Sequence, residues 1–117
     1  MRHGTTNYQL QGLLTQLEEK ARENAFWKRI HKDLNKPSRQ RRSVNMYKID
    51  QQARDGETIV VPGKVLSLGS LSKKIDVAAF QFSADAKRKI EEAKGQALSI
   101  QELLQKNPEG KKVRIVG

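Results

Sequence analysis

The strongest constraint on the fold of this chain is the segment from residue 58 to residue 83, which has the pattern of paired β-strands. Thr58–Val61 is a short β-branched run, and Pro62-Gly63 follows it as a predicted turn. Lys64–Leu71 then forms a predicted loop, and the alternation over Ile75–Ala79 indicates a strand with one buried face. Because two strands cannot bury such a face alone, helices must cover it. The segment therefore predicts an α+β fold.

Apolar residues at helical spacing predict three helices before this segment. A leucine stripe indicates a first helix over residues 6–24, and a second is expected over residues 26–34. A third is predicted over residues 44–54, with Ser43 as its N-cap. These helices are expected to bury their apolar stripes in the core.

Local signals after the segment predict two more helices and a last strand. A helix is expected over residues 83–95, and Ser99 with Glu102 forms a capping box that opens another. Residues 107–110 fit a type I turn, and residues 112–116 a final strand.

The sequence predicts a single domain over residues 1–117, with no internal repeat. In this interpretation residues 1–6 are a flexible basic tail and residues 36–43 a basic linker. The expected organisation is a helical N-terminal half followed by short strand and helix units over residues 58–117.

The charge of the chain indicates its partner. Its 117 residues carry a formal net charge of +10, and the resulting self-repulsion disfavours a compact state unless a polyanion offsets it. Nucleic acid is the expected partner, and an anionic membrane surface is the lesser alternative. No apolar run approaches the roughly 18 residues of a spanning helix, and no signal-peptide core is present. We expect a cytoplasmic protein that needs no membrane and no small-molecule substrate.

Enzymatic functions are not indicated, and we expect no catalytic residue, no metal site and no cofactor. Gly63-Lys64 resembles the end of a phosphate-binding loop, but Thr58 and Val65 stand where that motif needs a glycine and a hydroxyl residue. His3 and His31 are too far apart for metal-ligand spacing, and the absence of cysteine excludes zinc fingers and thiol nucleophiles.

Basic residues cluster between positions 28 and 48, where Asp33 is the one acidic residue. Arginine predominates in the linker, and its planar guanidinium matches phosphate oxygens. A weaker group lies at the predicted turns of the strand segment. The residues that we predict to bind nucleic-acid phosphates are Arg2, Lys28, Arg29, Lys32, Lys36, Arg39, Arg41, Arg42, Lys64, Lys73 and Lys74.

Aromatic residues that could stack on bases are few. Tyr8 and Trp27 are candidates, but Trp27 shares a stripe with Ile30 and Leu34, which favours a core position. The sequence therefore indicates recognition of shape and phosphates more than of base sequence.

Several motifs, in their order and spacing, are similar to one family. The chain resembles the archaeal and eukaryotic large-subunit ribosomal protein eighteen-e, a relative of bacterial large-subunit ribosomal protein fifteen. One departure is Ser67 after Leu66, where the family commonly has glycine; here Gly69 comes two positions later. The supporting features are Val61–Leu71 with the 73–83 segment, the leucine-rich first helix, Trp27, Lys36-Pro37 with the arginines after it, Val44-Asn45 and the 107–117 ending.

The resemblance implies a compact α+β domain in which the N-terminal helices pack on a small, irregular β-β-α core formed by residues 58–117. It also implies a structural constituent of the large ribosomal subunit, bound to ribosomal RNA and to neighbouring ribosomal proteins. The short chain is similar to the archaeal form. The alternative is a DNA-binding protein whose first three helices form a helix-turn-helix-like unit, although the 36–43 linker is long and basic for a tight turn.

Changing Arg39, Arg41 and Arg42 together to alanine should lower the affinity for ribosomal RNA and flatten its dependence on salt. Each phosphate contact releases counterions, so losing contacts reduces the slope of log K against log salt. Filter binding over a range of salt concentrations measures both quantities. An unchanged slope would show that the linker does not contact the RNA.

Overall fold

The computed structural model describes residues 5–35, 43–110 and 112–116, with the side chains of the first helix described from residue 11 onward. The chain divides into two compact units, residues 1–40 and 41–117. The described elements, in chain order, are α1 (Thr5–Glu23), α2 (Ala25–Leu34), β1 (Ser43–Asn45), α3 (Met46–Gln52), β2 (Thr58–Leu66), β3 (Asp76–Phe82), α4 (Ala84–Glu92), β4 (Ala97–Ser99), α5 (Ile100–Lys106) and β5 (Val113–Ile115).

The first unit contains α1 and α2, close to their predicted bounds. Asn24 separates the two helices, and its side-chain oxygen accepts a hydrogen bond of 2.8 Å from the backbone N–H of Phe26, which caps α2. Trp27 is fully buried, and the ring of Phe26 meets it edge-on at 4.8 Å. The core position favoured for Trp27 by its apolar stripe is therefore confirmed, and its ring is not exposed for stacking on bases.

The second unit is built on a parallel sheet with β2 at its centre. One edge of β2 pairs with β3, which in turn pairs with β4. The other edge pairs with β5 along the first half of β2 and with β1 along the second half. This arrangement confirms the α+β class, while the prediction of a single domain over residues 1–117 stays a prediction.

The structure corrects the predicted turn at Pro62-Gly63. β2 continues through these two buried residues, and its register with β3 shifts between Val61 and Lys64. Proline has no N–H to donate to the ladder, so the strand bulges there without reversing. The predicted one-sided burial of the next strand is also wrong, because Ala78 is as buried as its neighbours. Parallel strands are commonly covered on both faces, which explains that burial.

The start of the third helix differs from the prediction as well. Ser43 begins β1 and does not cap a helix; α3 begins three residues later, after Asn45. The sheet therefore begins before residue 58, and the β-β-α core predicted for residues 58–117 is only part of it. β4 was not predicted, because three residues are too few to show a strand period.

Two of the predicted capping signals in the second unit are confirmed, at Ser83 and at Ser99 with Glu102. The Ser83 hydroxyl accepts a bond of 3.2 Å from the Ala86 N–H at the start of α4. At α5, Ser99 and Glu102 form the reciprocal capping box. The bond that the Glu102 carboxylate accepts from the Ser99 backbone N–H lowers the pKa of that carboxyl below its usual range.

Gly95 allows a close approach between the end of α4 and the start of β3. A Cβ at this position would overlap the carbonyl oxygen of Ile75, which is backbone and cannot rotate away. Gly12 in α1 offers the opposite case, because nothing lies within 4 Å of a Cβ built there.

Gly95→Ala should destabilise the protein by about 1–3 kcal/mol, as overpacking does. Gly12→Ala is the matched control and should stabilise α1 by about 0.5–1 kcal/mol, because alanine loses less backbone entropy in a helix. Urea unfolding followed by circular dichroism measures both. Equal midpoints for the two variants would contradict the close approach at Gly95.

Candidate nucleic-acid interface

α2 presents three of the predicted cationic residues to solvent. Lys28 and Lys32 are exposed and lie four residues apart, so they share one face of the helix. Arg29 is also exposed, but its guanidinium lies 3.5 Å from the Asp33 carboxylate, which offsets part of its charge. The two lysines therefore carry the less compensated charge on this helix, and their role in binding phosphates stays a prediction.

Five predicted binding residues lie outside the described part of the chain, namely Arg2, Lys36, Arg39, Arg41 and Arg42. Their role in binding phosphates stays a prediction.

The connection between β2 and β3, residues 67–75, has no helix of its own and runs beside α3. The Tyr47 N–H donates to the Leu68 carbonyl at 3.0 Å, and the Leu68 N–H donates to the Asn45 side-chain oxygen at 3.3 Å. Gly69 has a φ of +100°, and a Cβ there would lie 2.7 Å from the Cβ of Tyr47. Only glycine fits this position, so Gly69 fixes the loop against the first turn of α3.

The second half of this connection is bound to the end of α3. The N–H and hydroxyl of Ser72 donate to the Asp50 carboxylate at 3.0 and 2.9 Å. The Lys73 ammonium donates to the carbonyls of Asp50 and Ala53 at 2.6 and 2.8 Å. A cation at the C-terminus of a helix is stabilised by its dipole and its free carbonyls. Lys73 therefore holds the loop to α3 with its charged group.

A further lysine, which the sequence did not indicate, holds the first part of the loop from the other side. The Lys89 ammonium on α4 donates to the carbonyls of Ser67 and Gly69 at 2.7 and 2.6 Å. The partners are about twenty positions away in the chain, so no local pattern could have shown this contact.

The two remaining predicted lysines are exposed but lie toward different ends of the sheet. Lys64 is in the second half of β2, paired in register with Ser43, near the carboxyl ends of the strands. Lys74 lies just before β3, at the amino ends, and its backbone N–H donates to the Asp55 carboxylate at 2.8 Å. Lys64 lies six residues along β2 from Thr58, which pairs with the start of β3, so roughly 20 Å of strand separates the two ends. The structure therefore does not bring the turn lysines into one cluster.

Other cations of this unit are neutralised by the protein's own acids. Arg88 on α4 contacts Glu92 at 3.0 Å and Asp85 at 3.7 Å. Arg114 on β5 donates two bonds to Glu57, at 3.1 and 3.0 Å, and these bonds lower the pKa of that carboxyl. The net charge of the chain therefore overstates how much positive charge is available to bind an external anion.

Within residues 5–35, 43–110 and 112–116, no group of three potential metal-ligating side chains was found. None of the helices in these residues combines the length and the hydrophobicity that a membrane-spanning segment needs.

The chain is similar to known proteins over nearly its whole length. The family model described as ribosomal protein 60S L18 and 50S L18e matches residues 6–116. Proteins named large ribosomal subunit protein eL18 are among its relatives. That of Pyrobaculum aerophilum is 46% identical over 115 residues, covering 97% of this chain and 94% of its own. That of Methanopyrus kandleri is 45% identical over 120 residues (97% and 94%), and that of Methanoregula boonei 44% over 113 (95% and 93%).

Asp50 should contribute stability that is lost in acid. The Ser72 backbone N–H is the main cause that lowers the pKa of Asp50 in the folded protein. This stabilisation is fully present above about pH 4, which is the pKa of the carboxyl in the unfolded chain. It is lost as the pH falls through the lower pKa that the carboxyl has in the folded protein. The free energy of unfolding of Asp50→Asn should therefore be about 1 kcal/mol lower than that of the parent at pH 6. This difference should become smaller as the pH falls toward 2.5.

Ser72→Ala is the matched control for this prediction. It removes the hydroxyl donor and keeps the backbone N–H, so most of the pH dependence should remain. Urea unfolding at several pH values measures both variants. A gap between Asp50→Asn and the parent that does not change with pH would contradict the role of the carboxylate.

Proposed function

The chain belongs to the family of ribosomal proteins 60S L18 and 50S L18e, and we propose that it is a structural constituent of the large ribosomal subunit that binds ribosomal RNA. The observation that carries this proposal is the family match over residues 6–116. The net charge of +10 supports it, because a ribosomal environment supplies the polyanion that such a surface needs. In this function the protein works in the cytoplasm, among ribosomal RNA and neighbouring ribosomal proteins, and it requires no catalytic centre.

The proposed binding acts mainly through phosphates. Exposed ammonium groups displace counterions from the RNA backbone, which gives affinity that depends on salt and not on base sequence. Among the described residues, Lys28, Lys32, Lys64 and Lys74 suit this task best, since their side chains are exposed. The predicted contacts of Arg2, Lys36, Arg39, Arg41 and Arg42 extend the same surface chemistry.

Arg29 and Lys73 are weaker candidates among the predicted residues. Arg29 lies beside Asp33, and the Lys73 ammonium already donates to two carbonyls of its own chain. An RNA phosphate would have to compete with these partners. We propose that Lys73 contributes indirectly, by holding the loop that follows β2.

The helix-turn-helix alternative is not favoured by the structure of its third helix. α3 has only seven residues and connects two parallel strands, β1 and β2. A recognition helix must be free to enter a major groove, whereas this short helix is hydrogen-bonded to the 67–75 connection near both of its ends.

Lys28→Gln with Lys32→Gln should weaken binding to large-subunit ribosomal RNA and lower the salt slope by up to about 2, one for each lost phosphate contact. Lys87→Gln with Arg88→Gln is the matched control, because it also removes two charges, one of which already contacts Glu92 and Asp85. Filter binding at several salt concentrations measures both pairs.

Equal slopes for the two pairs would exclude α2 as a contact. Sucrose-gradient sedimentation tests the wider proposal, since the protein should travel with large subunits and leave them in high salt. A protein that never sediments with large subunits would contradict the proposed function.

A further inference from the structure

Two large apolar side chains are exposed in the described part of the chain, whereas the others there are buried or half-buried. Tyr47 is 49% exposed and Leu68 is 65% exposed. Their backbones are joined directly by the hydrogen bond from the Tyr47 N–H to the Leu68 carbonyl. Both residues follow the carboxyl ends of neighbouring parallel strands, Tyr47 after β1 and Leu68 after β2. The two side chains therefore emerge from one place on the surface, which we call the Tyr47–Leu68 surface.

The backbone below this surface is held rigidly. Gly69 lies against the backbone of Tyr47, Asn45 accepts from the Leu68 N–H, and Lys89 donates to the carbonyls on both sides of Leu68. Several polar contacts thus keep two apolar side chains exposed. A surface fixed before binding loses little conformational entropy when a partner arrives.

The charge around the surface identifies the kind of partner. Residues 43–49 and 64–70 contain Lys48 and Lys64 and no acidic residue, and the next acid along the chain, Asp50, accepts hydrogen bonds from Ser72 of the loop. The Lys89 ammonium lies against the same loop. A positive surround is complementary to a polyanion, and an aromatic ring in such a surround suits an unpaired base, since bases stack on tyrosine while lysines contact the adjoining phosphates.

We propose that the Tyr47–Leu68 surface is a stacking platform for an unpaired nucleobase of ribosomal RNA. This inference rests on the proposed function and adds a contact to a base where that function needs only phosphates. The Tyr47 ring stacks on the base, Leu68 packs against its edge or sugar, and Lys64 contacts a neighbouring phosphate. Tyr47 would thus stack on a base, the role for which Tyr8 and the buried Trp27 were the candidates from the sequence.

The test compares Tyr47→Ala with Tyr47→Phe in binding to large-subunit ribosomal RNA. Stacking on one base changes affinity by roughly 10- to 100-fold and involves no counterion. Tyr47→Ala should therefore raise Kd by that factor at every salt concentration with an unchanged salt slope, and Tyr47→Phe should restore the affinity. Leu68→Ala should cause a smaller loss of the same kind.

Chemical probing of the RNA supplies a second measurement. One unpaired base protected by the parent protein and by Tyr47→Phe should become reactive with Tyr47→Ala. Folding of each variant is checked by urea unfolding, and the Tyr47 N–H bond to Leu68 persists in alanine because it is a backbone bond.

Three results would overturn the inference. If Tyr47→Ala binds RNA like the parent while Lys28→Gln with Lys32→Gln weakens binding, the proposed function stands and the platform does not exist. If Tyr47→Ala binds free RNA normally but leaves assembled subunits more easily, the surface meets a neighbouring protein. If Tyr47→Ala changes the salt slope, the residue acts on phosphate contacts. Failure of the parent itself to bind ribosomal RNA would instead contradict the proposed function.

Discussion

β2 is the strand on which the second unit depends, because it shares both of its hydrogen-bonding edges with other strands. Its residues Ile59, Val60 and Val61 are fully buried, and three strands pair with it. All of these pairings are parallel, so each needs a crossover. Helices provide the crossovers from β1 to β2 and from β3 to β4, whereas the one from β2 to β3 is a loop. Such a loop must find partners for its own polar groups, and it finds them along α3.

The features that could be predicted from the sequence were mainly those that depend on residues close together in the chain. The caps at Ser83 and at Ser99 with Glu102 were identified correctly, since a cap and its helix lie within four residues. The family was also correctly identified from motifs and their order. Pro62-Gly63 misled the prediction because these residues mark turns in most contexts, and only the strands on either side of β2 make them a bulge.

Long-range contacts could not have been predicted in the same way. Lys64, Lys73 and Lys74 were predicted together as phosphate ligands, yet the Lys73 ammonium binds backbone carbonyls of the chain while the other two side chains are exposed. Lys89, which was not predicted, also binds backbone carbonyls. The difference depends on where α3 and α4 lie relative to the 67–75 loop. Equally, the apolar stripe predicted for the third helix places Tyr47 on its inward face, whereas the side chain is half exposed. Nothing in the sequence around Tyr47 separates an exposed tyrosine from a core one. Only the glycine two positions after Ser67 hints that backbone approaches backbone there.

The pairing of β5 with the first half of β2 has a consequence for how the protein is made. Residues 113–115 are the last of the described elements to be synthesised, and their partners are Thr58, Ile59 and Val60. That edge of the central strand stays open until the residues of β5 have left the exit tunnel. Non-local parallel pairing is slow to form, and an open strand edge invites association with other chains. The nascent second unit is therefore most exposed to such association in the interval before β5 docks.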